Sequence, residues 1–133
     1  MLTSLSNKNL LLLLGVGFLP YGLYCFFAPD FLAAAAGVTA TTPTGSTELR
    51  AMYGGLQAGF GVLLLAAVRD ARLQLAALAA LAFLVPGLAV CRLLGAFLDG
   101  GLSGYTIGAL IFEFGTSAVV VPRLVRALQS VRV

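Results

Sequence analysis

Residues 10–29 read LLLLLGVGFLPYGLYCFFAP, twenty positions without one charged side chain. At a rise of about 1.5 Å per residue, such a run reaches across the roughly 30 Å of hydrocarbon in a bilayer. It therefore predicts a membrane-spanning helix over 9–29, starting just after Lys8. A secretory signal peptide is the rival reading, with Lys8 as its basic region and the small residues 33–37 as a cleavage site. Against it, the apolar run is too long, Pro20, Gly22 and two tyrosines lie inside it, and Asp30 precedes the alanines.

The pattern recurs along the chain. Further apolar runs predict spans over 48–68, 73–98 and 104–121. Hydrophobic residues make up 60% of the sequence and charged residues 10%, where a soluble domain carries about a quarter of its residues charged. A soluble fold of 133 residues has too little interior to hide that much apolar surface. The expected fold is all-α: a single domain, 1–133, built as an integral membrane four-helix bundle.

Between the first two spans, residues 30–38 are too short to cross and predict a helical turn or two at the interface. Residues 39–47, TATTPTGST, read as a loop, with Pro43 and Gly45 breaking any helix and Ser46 or Thr47 as the N-cap of the second span. Residues 69–72 separate the second and third spans, and Pro86 is expected to kink the third. Residues 99–103 form a tight turn, and the fourth span is expected to stop at Pro122.

Net charge is +3, but the basic residues stand singly at the ends of the runs and form no patch for nucleic acid. Lys8, Arg69, Arg72, Arg123, Arg126 and Arg132 fall on one side, while Asp30, Glu48, Arg50 and Asp99 belong to the other. The positive-inside rule then places both termini in the cytoplasm. There is no histidine, and Cys25 and Cys91 both lie in apolar runs. The usual zinc, haem and histidine-based catalytic sets lack their residues, so no metal and no cofactor is expected. The two thiols read as reduced packing residues, although a bridge between them stays open.

What remains is a small polar set at membrane depth, where such groups are costly and mark a site or an internal pair. On a helical period Arg50, Tyr53, Gly54, Gln57 and Gly61 share one face of the second span. Glu113 shares a face of the fourth with Thr106, Ala109, Thr116 and Ser117, and Arg92 lines up with Gly95, Ala96 and Asp99 on the third. Three readings compete for this set. Glu113 pairs with Arg92 or Arg50 and fixes the bundle's register; or Arg50, Tyr53, Gln57, Arg92, Asp99 and Glu113 line an outward-facing cavity for a lipid or small amphiphile; or Glu113 is a proton-coupled carboxylate, as in small exporters, which however carry their glutamate in the first helix. Gly55 with Gly59 and Gly104 with Gly108 form G-x-x-x-G patterns, extended by Gly54 and Gly61, and read as helix-packing positions.

The string 48–55, ELRAMYGG, with Arg92-Leu93-Leu94-Gly95 leading to Asp99-Gly100 and with Glu113 in the last span, resembles a bacterial family of small four-helix membrane proteins catalogued as a domain of unknown function. The resemblance covers most of the chain. It implies a four-helix inner-membrane protein, singles out Arg50, Tyr53, Gly54, Gly55, Arg92, Asp99 and Glu113, and implies no activity, substrate or cofactor.

Two functions lead as expectations, ahead of a third in which a membrane enzyme uses Glu113 as acid or base. The first is a non-enzymatic accessory or structural subunit packing against a larger membrane complex or against copies of itself, since almost no mass lies outside the spans to hold a soluble active site. The second is a lipid or small-amphiphile carrier using the Arg/Glu/Tyr cluster.

Overall fold

The structure is a computed structural model that describes residues 6–131, with side chains to residue 129; the expectation for Arg132 falls outside the described residues. Every regular element among them is helical. In chain order they are α1 (Asn7–Phe27), α2 (Phe31–Ala36), α3 (Pro43–Leu49), a π-helical segment (Arg50–Gly55), α4 (Leu56–Arg69), α5 (Ala71–Asp99) and α6 (Gly104–Val131). Four stretches are long and apolar enough to cross a membrane: α1, the continuous Pro43–Arg69 helix, α5 and most of α6. This is the make-up of a multi-pass membrane protein.

The described chain divides into two compact units, residues 6–74 and residues 75–131. In the first, α1 and α4 run antiparallel. Gly15 faces Leu65 and Leu64, Gly22 faces Ala58 and the carbonyl of Gly54, Phe26 faces Gly54, and Leu19 faces Gly61. Each of these glycines leaves no room for a Cβ, because the nearest atoms would lie under 3.0 Å away and at three of the four positions they include backbone. Two helices in lipid gain their contact by such close approach. Leu10, Leu11, Leu14, Cys25, Leu32, Leu64 and Ala67 are buried, and Phe18 meets Phe60 edge-on with ring centroids 5.0 Å apart.

Several expected boundaries move. The loop after α2 ends at Thr42, not at Thr47: the Thr42 hydroxyl accepts the Gly45 amide at 3.0 Å, and Pro43 occupies the first helical position. Proline is favoured there because its missing N–H would be unsatisfied anyway and its φ is already helical. Residues 43–47 therefore belong to the second span. At the other end one extended residue, Asp70, joins α4 to α5, its carboxylate accepting the Arg72 amide at 2.9 Å as an N-cap.

In the second unit α5 runs unbroken through Pro86 and ends at Asp99. Gly100, at φ 65°, turns the chain left-handed, and the Gly101 amide reaches back to the Ala96 carbonyl at 3.1 Å, which satisfies an end carbonyl as a Schellman cap does. Ser103 then caps α6 by accepting the Thr106 amide at 3.1 Å. The expected stop at Pro122 does not occur. Helix α6 passes through it to Val131, because a proline removes one amide donor yet leaves the following turns free to propagate. In consequence Arg123 lies within a helix and is buried, while Arg126 is exposed.

Candidate functional site

The polar residues sort by unit. On α5 the buried positions Leu78, Leu81, Val85 and Ala89 recur every three or four residues, and Arg92 continues that stripe. On α6 the buried positions are Glu113, Thr116, Ser117, Val120, Arg123 and Leu124, again on one stripe. Periodicity alone thus brings Arg92 and Glu113 onto the inward faces of their helices.

They meet there as a bidentate pair. Arg92 Nη2 donates to Glu113 Oε1 at 2.8 Å, and Arg92 Nε donates to Oε1 and Oε2 at 3.1 and 3.0 Å. The glutamate side chain is 6% exposed and the arginine 29%. Both lie well inside the hairpin: Arg92 is seven residues from the end of α5 and Glu113 nine from the start of α6, or about 10 Å and about 13 Å along the helices. Ser117 adds a 2.7 Å hydrogen bond from its hydroxyl to the Glu113 backbone carbonyl, which turns its own polar group inward along α6. At such depth a fork-shaped guanidinium supplies two parallel donors to a carboxylate that would otherwise lack them.

Arg50 has a different partner. Its Nη1 donates to the backbone carbonyl of Phe26, and its guanidinium carbon lies 5.8 Å from the centre of the Phe26 ring. Phe26 is in the last turn of α1, where helix carbonyls lose their i+4 donors. Here Pro29, three residues on, has no N–H with which a tightened i+3 turn could satisfy the Phe26 carbonyl. A cation at that position satisfies the carbonyl and faces the negative end of the helix dipole. Arg50 is thus a side-chain cap on α1, delivered from the second span by the π-helical turn it opens. The wider i+5 ring of that turn changes the rotational phase between α3 and α4.

Tyr53 and Gln57 are half-buried on the same helix, and Asp99 is exposed at the end of α5, two turns beyond Arg92. Of the glycines read as packing positions, Gly54 is at a close approach. At Gly59, Gly104 and Gly108 a Cβ would meet nothing within 4 Å, and at Gly55 it would meet only the Arg50 carbonyl at 3.8 Å. The tight packing instead falls on Gly15 and Gly22 of α1 and Gly54 and Gly61 of the second span, each pair seven residues apart. Cys25 is buried and Cys91 exposed, and both are free thiols.

Sequence reasoning missed the Arg50 cap and the seven-residue glycine spacing. A signal existed for each. A proline just past an apolar run strips donors from the last carbonyls, and two pairs of glycines at equal intervals mark one matched seam.

No curated protein and no solved structure matches the chain. The family model described as a domain of unknown function, DUF4345, matches residues 6–124. With nearly the whole described chain inside that match, the protein belongs to the DUF4345 family.

Proposed function

We propose that this protein is a non-enzymatic, multi-pass subunit of the bacterial inner membrane, acting by packing its apolar helix surface against a larger membrane complex or a second copy. One observation carries the reading. The arginines at membrane depth that suggested a polar site are each engaged within their own unit, Arg92 on the Glu113 carboxylate and Arg50 on the end of α1. Groups spent on holding helices together are poorly placed to bind and release a substrate. What is left to offer a partner is side-chain surface, such as Leu13, Phe83 and Ile111.

A second reading keeps the lipid or small-amphiphile carrier at Arg92 and Glu113, on the ground that the Arg92 side chain stays 29% exposed. Native mass spectrometry after mild solubilisation separates the two. The subunit reading expects a species heavier than the 13.7 kDa chain, containing a second protein or copy. A lone chain carrying a small molecule that Arg92→Met releases would support the carrier instead.

A further inference from the structure

A groove of about 410 Å³ lies between α1 and α4, lined by Leu12, Val62, Leu65, Ala66, Val68 and Arg69. Five of the six are apolar. The groove follows α4 inward from Arg69 to Val62, about 10 Å of helix, roughly two-thirds of one bilayer leaflet's hydrocarbon. The antiparallel register that sets Gly15 against Leu65 and Leu19 against Gly61 brings the start of α1 to the same end. Lys8 is therefore about one turn beyond Arg69, and both are exposed. Among the described residues neither has an acidic partner. Asp70, the carboxylate at this end, accepts the Arg72 amide.

We propose that this groove seats an acyl chain of an anionic phospholipid, with its phosphate held by Arg69 and Lys8. The shape and charge each select part of that occupant. An apolar trough running inward from the ends of two membrane-length helices suits a hydrocarbon chain. Two cations at its mouth suit a phosphate bearing net negative charge, and give a zwitterionic headgroup less. This site is separate from the Arg92–Glu113 pair, and the lipid is a bound companion whether or not the subunit reading holds.

The test is native mass spectrometry of the delipidated full chain, titrated with phosphatidylglycerol and with phosphatidylcholine of the same acyl chains. The wild type should retain phosphatidylglycerol about fivefold better or more. Arg69→Gln should remove most of that preference, Arg126→Gln should leave it, and Ala66→Phe, which fills the groove, should weaken retention of both lipids. If Ala66→Phe fails to fold by circular dichroism, Leu12→Trp on the opposite wall takes its place. Equal retention of the two lipids by the wild type would overturn the proposal. So would an unchanged preference in Arg69→Gln, a lost one in Arg126→Gln, or a filled groove that still holds lipid.

Discussion

Gly61 passes so close to Leu19 that a Cβ on the glycine would lie 2.7 Å from the leucine Cα. The atom it would strike is backbone, so no rotamer change relieves the clash. Gly61→Ala should destabilise the chain by about 1–3 kcal/mol through forced separation of α1 and α4, and Gly22→Ala should do the same. Gly59→Ala, with open space around it, should instead be neutral or gain up to about 1 kcal/mol from helix propensity. Thermal unfolding in detergent of the three variants checks the contrast, and a Gly59→Ala as damaging as Gly61→Ala would refute the seam.

Arg50 caps α1 with a charged hydrogen bond to the Phe26 carbonyl. Replacement by Gln should cost about 1–2 kcal/mol, and Lys should recover part of it, having the charge without the planar fork. The loss should be local. Hydrogen exchange is expected to speed up over residues 24–28 with little change over α5 and α6. Uniformly faster exchange would show that Arg50 does something other than cap this helix.

Topology follows from the basic residues at the helix ends. Lys8, Arg69 and Arg126 should face the cytoplasm and Thr44 the opposite side. Cysteine substituted at Thr44, exposed in the first turn of α3, should react with an impermeant maleimide from outside the cell. Reaction from the cytoplasmic side alone would invert the orientation.

The four spans are legible because twenty-residue apolar runs have few other uses, and helical period alone places Arg92 and Glu113 on inward faces. Boundaries were less legible at prolines. Pro43 and Pro122 read as breakers, yet one sits at a helix start where its lost donor costs nothing, and the other lies inside a helix long enough to absorb the loss. The π-helical turn left no trace in composition, since its residues also fit an α-helix. Arg50 groups with Arg92 in the sequence because both are cations written into apolar spans. Its actual partner is a main-chain carbonyl, which every residue has, so only Pro29 just past the run hints at it.

The central claim is that the Arg92–Glu113 pair holds α5 and α6 together and does not serve as a binding site. A double-mutant cycle with Arg92→Met and Glu113→Met, read by thermal unfolding in detergent, tests it most directly. Each single change strands a charge at membrane depth and should cost about 3–5 kcal/mol. The double change removes both charges and keeps the packing volume, so it should return to within about 1 kcal/mol of the wild type. A double variant as unstable as the two singles added together would contradict the claim, as would one that folds normally but has lost a small molecule the wild type carries.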